Sequence, residues 1–406
     1  MKLKEMQILI VLISMLIFVT RAIDSQFYTV FKPHDGKYPC YRQPAIVTTN
    51  QERTHLMVFA EGRFVTSCAP PLENRVERDN RPNEDGGLEI RRSEDSGSTW
   101  LSAQTVYTGN IDFYTVVWDS TSNAVYLMLQ ASSSVLLFIS HDEGITWSDP
   151  TPLNVFPPPP FSKSIKPAVG HGIEIIGSLC GRENCSDAGT LLMPFVCTNG
   201  SSHTGDNGSC PSCYACVLKS EMPEKNQNRQ WNFTGIAQQY TRESQLVQTI
   251  NMDAGASYIY LNGRNFSPVP GHRYFARSTN GADQFTEFGI DSSLIEPVTK
   301  AWTGVVCSIE RISINPSRIL FSGPANATVR SNLTLRLSYD EAHSWSISRI
   351  LFSGLSGYSD IAVVGDGKNV ALVFENGEET FADQISVAVV PVSWIENNKK
   401  NGNKKL

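Results

Sequence analysis

An eight-residue pattern that occurs four times along the chain is the feature that most restricts its fold. The pattern is Ser-x-Asp-x-Gly-x-Thr-Trp, and its copies begin at Ser93, Ser140, Ser338 and, in a degenerate form, Ser278. Asp and Gly are preferred in tight turns, Ser and Thr hydroxyls bond across such turns, and an aromatic ring packs well beneath them. Each copy therefore predicts a hairpin turn between two strands.

The spacing of the copies predicts how the strands are arranged. The starts at Ser93, Ser140, Ser278 and Ser338 fit a repeating unit of about 40–50 residues, which is typical of β-propeller blades. A single copy would indicate no more than a turn. The 406 residues include 29 Gly and 22 Pro, which suits many short strands joined by tight turns. The sequence thus predicts an all-β fold, a β-propeller.

The N-terminal residues 1–22 are predicted to be a signal peptide. Lys2 and Lys4 precede an apolar run over residues 8–19, and Thr20-Arg21-Ala22 supplies small residues for cleavage. The alternative is an uncleaved anchor, although the apolar run is short for a bilayer span. We find no second long apolar run, so no membrane span is expected in the mature chain.

Sequons and cysteines both favour an oxidising compartment. Asn-x-Ser/Thr sequons begin at Asn184, Asn199, Asn207, Asn232, Asn265, Asn326 and Asn332. Of nine cysteines, six lie close together at Cys180, Cys185, Cys197, Cys210, Cys213 and Cys216. The protein is therefore predicted to be secreted or lumenal, the endolysosomal lumen included, with glycans and disulfides.

The cysteines also predict local features. The clustered six indicate a disulfide-stapled insert over about residues 178–217, at the rim of the fold. A zinc site at Cys210, Cys213 and Cys216 is the alternative, although no histidine pattern accompanies them. Cys40 and Cys68 are candidates for a separate bridge, and the odd count leaves one thiol, for which Cys307 is the candidate.

Charge excludes one class of partner. The formal net charge of −6 argues against nucleic acid. The tail over residues 397–406 is basic and of low complexity, and we expect it to be disordered.

The segment Tyr41-Arg42-Gln43-Pro44-Ala45, taken with the repeated turns, resembles the sialidase (neuraminidase) family. It is similar to the Tyr/Phe-Arg-Ile-Pro-Ala motif of that family, with Gln43 in place of the usual Ile, and the turns are similar to its Asp boxes. The resemblance covers nearly all of the mature chain. It implies a six-bladed β-propeller over residues 23–396.

The resemblance implies a set of substrate-binding residues. Sialidases hold the carboxylate of sialic acid with three arginines, because a guanidinium binds a carboxylate through two parallel hydrogen bonds and does not lose its charge. On the matching motifs these are Arg42, Arg264 in Tyr-Ile-Tyr-Leu-Asn-Gly-Arg, and Arg330, which is preferred over Arg336. Arg63, in Phe-Ala-Glu-Gly-Arg, is expected at the pocket rim or in a structural ion pair with its neighbour Glu61.

The resemblance also implies catalytic residues. Tyr358 in Ser-Gly-Tyr-Ser is similar to the family nucleophile, and Glu243 in Arg-Glu-Ser-Gln to the carboxylate that activates it. A phenol with a pKa of about 10 needs a neighbouring base, and tyrosine is the known nucleophile of sialidases. Glu375 is expected to orient Arg42.

Two assignments stay open at this stage. The general acid falls in the loop before Arg91-Arg92, where Asp79 is preferred over Asp85 although the spacing departs from the family pattern. His171, in Gly-His-Gly-Ile-Glu, is either a hydrogen-bonded turn residue or a substrate contact.

The resemblance implies an exo-α-sialidase, a glycoside hydrolase that removes terminal sialic acid from sialylated glycans by a retaining mechanism. The chemistry needs no cofactor and no metal. One alternative is a sialic-acid-binding propeller, lectin-like, with weak or absent catalysis, which the disturbed acid loop and Gln43 favour. Another is a sialidase that transfers sialic acid or forms an anhydro product.

Overall fold

Short β-strands make up nearly all of the regular structure in a computed structural model of the chain. The structure describes residues 27–65, 68–69, 86–161, 165–180, 185, 187–200, 209–224, 227–250, 257–299 and 303–397. The predicted signal peptide and most of the predicted tail lie outside these residues. Across the described ranges, no helix is long and apolar enough to cross a membrane.

The strands are listed in chain order. The first nine are β1 (Phe27–Phe31), β2 (Cys40–Thr48), β3 (Leu56–Arg63), β4 (Gly87–Ser93), β5 (Gln104–Thr108), β6 (Ile111–Asp119), β7 (Ala124–Ala131), β8 (Ser134–Ser140) and β9 (Thr151–Pro152). The next ten are β10 (Ile165–Pro167), β11 (Gly170–His171), β12 (Ile173–Glu174), β13 (Leu191–Thr198), β14 (Cys213–Ser220), β15 (Asn232–Gln239), β16 (Thr241–Thr249), β17 (Tyr258–Asn265), β18 (His272–Ser278) and β19 (Phe285–Ile295). The last six are β20 (Ser308–Ser313), β21 (Arg318–Pro324), β22 (Ser331–Ser338), β23 (Ile347–Val364), β24 (Asn369–Gly377) and β25 (Gln384–Pro391). A 3-10 helix, Gly177–Leu179, and the short helix α1, Val392–Glu396, complete the elements.

The described strands form five hydrogen-bonded sheets, which differs from six separate blades. Two sheets have four strands, in the orders β2-β3-β4-β5 and β16-β17-β18-β19. Two have five strands: β11-β6-β7-β8-β9, and β10-β13-β14-β15 with β12 paired to β13. The fifth has seven strands in the order β1-β25-β24-β23-β22-β21-β20, because the long strand β23 pairs with β22 through residues 347–355 and with β24 through residues 355–364.

The innermost strands follow one another in a closed cycle. Strand β2 lies beside β6, β6 beside β10 and β13, β13 beside β16, β16 beside β20, and β20 beside β23, which returns to β2. Apolar side chains fill the space between neighbouring sheets. One cluster, for example, joins Ile46 and Val58 of the first sheet to Val373 and Val387 of the seven-stranded sheet. The fold is all-β and propeller-like, as the sequence predicts.

The repeated turns share a common set of hydrogen bonds. In the first copy, the Ser93 hydroxyl accepts the Gly97 N–H at 2.9 Å and donates to Asp95 at 2.8 Å. The Asp95 carboxylate also accepts the Thr99 N–H at 2.8 Å and its hydroxyl at 2.6 Å. The copies at Ser140 and Ser338 repeat all four bonds, and the copy at Ser278 keeps three of them. The four turns connect β4 to β5, β8 to β9, β18 to β19 and β22 to β23, and each of these pairs is antiparallel, as the hairpin prediction requires.

The cysteine-rich stretch contributes to the ring itself. Strand β13 and the first part of β14 lie in it, and Cys197 and Cys216 are bonded to each other across these two strands. The other pairs are Cys180–Cys185, Cys210–Cys213 and Cys40–Cys68, and Cys307 is free and buried. The bridge between Cys40 and Cys68 and the free thiol are as predicted. The zinc alternative is wrong, because all three of its cysteines form disulfides.

Candidate functional site

An ion pair between β2 and β24 forms one wall of the candidate site. The Arg42 guanidinium donates from Nε to Glu375 Oε1 at 2.7 Å and from Nη2 to Glu375 Oε2 at 3.2 Å. Its third nitrogen, Nη1, donates to the carbonyl oxygen of Cys68 at 3.1 Å. Both members of the pair are buried. Because all its guanidinium nitrogens are engaged, Arg42 is held in one orientation.

A bulge in β2 brings the backbone to the same carboxylate. The pairing of β2 with β3 shifts between Arg42 and Ala45, and Gln43 has a φ of 57°. A left-handed φ is unfavourable for a β-branched residue, which suits Gln rather than Ile here. The Gln43 N–H donates to Glu375 Oε1 at 2.8 Å. The substitution in the motif is therefore compatible with the ion pair.

The tyrosine loop approaches Glu375 from the other side. The Tyr358 N–H donates to Glu375 Oε2 at 2.9 Å. A Cβ atom on Gly357 would lie 2.2 Å from that oxygen, so the approach requires glycine. Burial acts to raise the pKa of Glu375, but the charge of Arg42 and these hydrogen bonds lower it overall. Glu375 is therefore a buried carboxylate that stays ionised.

Arg264 on β17 links the candidate nucleophile to the candidate base. Its Nη1 donates to Glu243 Oε1 at 3.2 Å and to Tyr358 Oη at 3.1 Å. All three side chains are buried, with Tyr358 only 3% exposed. Burial acts to lower the pKa of Arg264, but the charge of Glu243 raises it overall. The phenol and the carboxylate thus share one guanidinium nitrogen.

Two successive backbone carbonyls orient two arginines. The Arg264 Nε donates to the carbonyl oxygen of Thr303 at 2.8 Å, and the Arg330 Nη2 to that of Gly304 at 3.0 Å. Burial lowers the pKa of Arg330, as do the charges of Arg264 and Arg42, and together they bring it to about 10. Mutual repulsion among three buried cations leaves a site that favours an anion.

Aromatic rings support these guanidiniums from behind. Arg42 and Arg330 both stack on the Phe381 ring, at 5.2 and 4.7 Å from its centroid, and both also lie over the Tyr358 ring. Arg264 stacks on Phe266 at 4.6 Å. Neither phenylalanine was predicted from the sequence. The only local signal for Phe266 is its place two residues after Arg264.

Two further candidate residues have other partners. Arg63 forms a close ion pair with Glu61, two residues earlier on β3. His171 is fully enclosed: Nδ1 lies 2.7 Å from Asp360 Oδ1 and Nε2 lies 2.9 Å from Glu310 Oε2. Burial acts to lower the pKa of His171, but the two carboxylates raise it to about 10. His171 is therefore a charged structural residue below the site.

Asp79 and Asp85 lie outside the described residues. Arg336 lies on β22 and is buried, which lowers its pKa. The site described here thus consists of Arg42, Arg264, Arg330, Tyr358, Glu243 and Glu375, with Arg63 as a neighbour.

The sequon at Asn265 begins in the interior of the folded protein. Its side chain is 0% exposed, donates from Nδ2 to the carbonyl oxygens of Val269 and His272, and accepts the Ser267 N–H. The folded structure leaves no room for a glycan there, although the residue adjoins Arg264.

Two cavities flank the site. One, of about 920 Å³, is bordered by Cys68 and Thr380, beside Arg42 and Phe381. The other, of about 600 Å³, opens at the far end of β2 and is lined by His171 and Glu310. Neither cavity is lined by the residues of the candidate site, which are Arg42, Arg264, Arg330, Tyr358, Glu243 and Glu375.

Comparison with known sequences gives one extended match. The chain is 24% identical over 375 residues to a sialidase of Micromonospora viridifaciens, an alignment that covers 84% of this chain and 50% of the relative. Two shorter matches are to Sialidase-4 of mouse, 31% identical over 94 residues, and of human, 35% identical over 90 residues. The chain thus spans half the length of the bacterial relative, and the short matches cover 20% and 19% of the mammalian ones. No protein-family model matches the sequence.

Solved structures of similar fold are also sialidases. The Hadza microbial sialidase Hz136 has a TM-score of 0.67 at 18% identity, covering 91% of this chain and 69% of that one. The leech intramolecular trans-sialidase has a TM-score of 0.64 at 11% identity, covering 92% and 71%. Trypanosoma rangeli sialidase has a TM-score of 0.58 at 15% identity, covering 87% and 55%. The chain is thus similar in sequence to a bacterial sialidase and shares its fold with sialidases and trans-sialidases.

Proposed function

We propose that this protein is an exo-α-sialidase that hydrolyses terminal sialic acid from glycoproteins, glycolipids or oligosaccharides. The proposed fold is a six-bladed propeller in which the repeated turns are Asp boxes. In this count the seven-stranded sheet provides two blades that divide within β23, and each of the other sheets provides one. The similarity to the Micromonospora sialidase supports a sialylated substrate.

The observation that carries the proposal is the position of Arg264. One of its nitrogens bonds to both Glu243 and Tyr358, and two further buried arginines, Arg42 and Arg330, stack on the Tyr358 ring. Three guanidiniums around a phenol suit a substrate whose reacting carbon bears a carboxylate. A neutral nucleophile does not repel that carboxylate, whereas a carboxylate nucleophile would.

The proposed reaction has two steps with retention of configuration. Glu243 takes the phenolic proton as Tyr358 Oη attacks the anomeric carbon, and the bond to the aglycone oxygen breaks. Asp79 or Asp85 gives that oxygen a proton. Water then attacks the anomeric carbon and the bond from that carbon to Tyr358 Oη breaks. The ionised Asp79 or Asp85 takes the proton of the water, and Glu243 returns its proton to the departing phenolate. No cofactor takes part.

The proposed location is a secreted or lumenal compartment, which includes the endolysosomal lumen. The four disulfides support it, since such bridges persist in oxidising compartments.

The test is fluorescence release from 4-methylumbelliferyl sialic acid by the wild type and by Tyr358→Phe. We expect turnover in the wild type and its loss, by about a thousandfold or more, in the variant. Tyr126→Phe is a matched control, because Tyr126 is also buried but packs against Trp231, away from the site. Binding of sialic acid without release by the wild type would contradict the enzyme and support the lectin-like alternative.

Two further measurements complete the assignment. The leaving group of sialyllactose is poorer than that of the fluorescent substrate, so its cleavage needs the general acid. If only one of the variants Asp79→Ala and Asp85→Ala loses activity on sialyllactose, the residue replaced in that variant is the acid. Mass analysis of the released sugar distinguishes free sialic acid from an anhydro or transferred product.

A further inference from the structure

A fully buried ion pair adjoins two arginines of the candidate site. Glu296, the residue after β19, accepts a hydrogen bond from Arg273 Nη1 of β18 at 2.6 Å, and both side chains are 0% exposed. The mechanism proposed above uses neither residue. Because a buried ion pair adds little net stability compared with apolar side chains of similar volume, stability alone does not account for its presence here.

The ion pair holds the strand that carries Arg264. Glu296 Oε2 accepts the N–H of Asn265 at 2.9 Å, and Asn265 directly follows Arg264 on β17. Arg273 holds the same strand two residues before Arg264, because its Nε donates to Asn262 Oδ1 at 2.7 Å. The backbone of β17 is therefore fixed on both sides of Arg264.

The ion pair also holds the backbone of residues 303–305. Arg273 Nη1 donates to the carbonyl oxygen of Val305 at 2.8 Å. Gly304 packs directly on the Glu296 carboxylate: a Cβ atom on this glycine would lie within 2.8 Å of three atoms of the carboxyl group, and its φ is 61°. The Gly304 N–H donates to the carbonyl oxygen of Pro297 at 2.8 Å, which joins the segment to the residue after Glu296.

This segment provides the two carbonyl groups that orient the arginines. The Thr303 carbonyl oxygen accepts a hydrogen bond from Arg264, and the Gly304 carbonyl oxygen accepts one from Arg330. Glu296 thus acts on Arg264 twice, through β17 and through Thr303, and on Arg330 through Gly304. A displaced Glu296 carboxylate would disturb both guanidiniums at once.

We propose that Glu296 is a positioning residue for the three-arginine site: together with Arg273, it aligns Arg264 and Arg330 before the substrate carboxylate binds. Bidentate binding of a carboxylate depends on the orientation of the guanidinium plane. Alignment in advance also removes the cost of ordering these side chains during binding. This inference rests on the proposed sialidase function and concerns how its substrate carboxylate is recognised.

The experiment compares the Kd of sialic acid with that of its methyl ester by titration calorimetry. The ester keeps the sugar but lacks the negative charge, so the ratio of the two constants reports on the arginines. We expect the wild type to bind the acid at least about a hundredfold more tightly. Glu296→Gln should reduce this ratio about tenfold, because the glutamine amide nitrogen is a donor and cannot replace the second carboxylate oxygen.

Asp119→Asn is the matched control, because Asp119 and Arg229 form a similarly buried pair at 2.7 Å away from the site. It should keep the wild-type ratio. Kinetics with the fluorescent sialoside separate positioning from folding. Glu296→Gln should raise KM about tenfold with a smaller change in kcat, whereas a loss of folded protein lowers the apparent kcat and leaves KM unchanged.

Arg273→Lys provides the test if Glu296→Gln does not fold. Lysine keeps a positive charge beside Glu296 but has one nitrogen in place of three, so it cannot also hold Asn262 and Val305 in the same way. The ratio should fall in this variant too. A wild-type ratio and KM in either folded variant overturn this inference and leave the proposed function intact. A wild type that neither prefers the acid nor cleaves the sialoside overturns both.

Discussion

Arg42 and Glu375, which are 333 residues apart in sequence, form a buried two-point ion pair in which the same carboxylate also accepts two backbone N–H groups. Glu375 therefore connects the first arginine of the candidate site to the loop that carries Tyr358. A single side chain fixes the orientation of the arginine and the position of the phenol relative to each other.

Replacing Glu375 should cost both stability and activity. Glu375→Gln leaves Arg42 buried without its countercharge, and we expect a loss of about 3 kcal/mol in the free energy of unfolding together with a large loss of kcat/KM. Urea unfolding and the fluorescent sialoside assay measure the two effects. Asp119→Asn is the control, because Asp119 and Arg229 form a similar buried pair away from the site at 2.7 Å. It should lose stability but keep kcat in the folded fraction.

The same carboxylate predicts sensitivity to acid. The pKa of Glu375 is lower in the folded protein than its usual 4.5, so its contribution to stability is present above pH 4.5 and is lost as pH falls through the folded value. The difference in stability between wild type and Glu375→Gln should shrink over that range. A difference that stays constant down to pH 3 would contradict this account.

The buried charge of Arg330 should lower the free energy of unfolding of the unliganded protein. Folding lowers the pKa of Arg330 from the usual arginine value to about 10, so the charged form is disfavoured in the folded state at neutral pH and this cost is relieved as pH rises above 10. Arg330→Gln should therefore raise the Tm at pH 7 while it abolishes sialic acid binding. Sialic acid should raise the Tm of the wild type and not that of the variant. A lower Tm in the variant would show that packing outweighs charge repulsion.

His171 should stabilise the protein in a pH-dependent manner. Its folded pKa is about 10, against 6.5 normally, so its stabilising contribution is complete below pH 6.5 and is lost as pH rises to about 10. The destabilisation caused by His171→Gln, measured from urea midpoints, should be large at pH 6 and small at pH 10. His55→Gln is the control: its ion pair with Glu143 is about one-third exposed, and we expect a change below about 1 kcal/mol.

The disulfide between Cys210 and Cys213 should help to position Arg264. Both cysteines pack directly on Phe266, and the Cys210 N–H donates to the Phe266 carbonyl oxygen at 2.9 Å. Replacing both with Ser should loosen the ring beneath Arg264 and raise KM for the sialoside several-fold, with a smaller change in kcat. The double Cys180→Ser, Cys185→Ser variant is the control, since that bridge contacts Ser257 instead. Equal effects from the two variants would contradict a specific role of Phe266.

Local signals in the sequence predicted much of the fold. Each Ser-x-Asp-x-Gly turn is specified within eight residues, because its carboxylate and hydroxyls bond to their own backbone. The all-β class and the propeller-like arrangement follow from the repetition of that turn. The sheet count did not follow, since β23 continues from one group of strands into the next without a break.

Long-range contacts account for what the sequence did not predict. Phe381 and Phe266 lie behind the arginines because of how distant strands pack, and the Thr303 and Gly304 carbonyls carry no side-chain signal at all. Asn265 begins a sequon, but its side chain is buried in the folded protein, which leaves no room for a glycan. The roles proposed for the site residues rest on family motifs, whereas the contacts that would support those roles are visible only in three dimensions.

Strand β1 pairs with β25, and Thr29 bonds to Gln384, which lies 355 positions later in the sequence. During synthesis on the ribosome β1 emerges before the other described strands, and its partner emerges after them. The ring therefore closes only after all of the strands from β1 to β25 have been synthesised, and until then an unpaired strand edge is exposed to other chains. Premature termination before β25 would leave that edge exposed, so a truncated product should be retained by chaperones rather than fold into a smaller propeller.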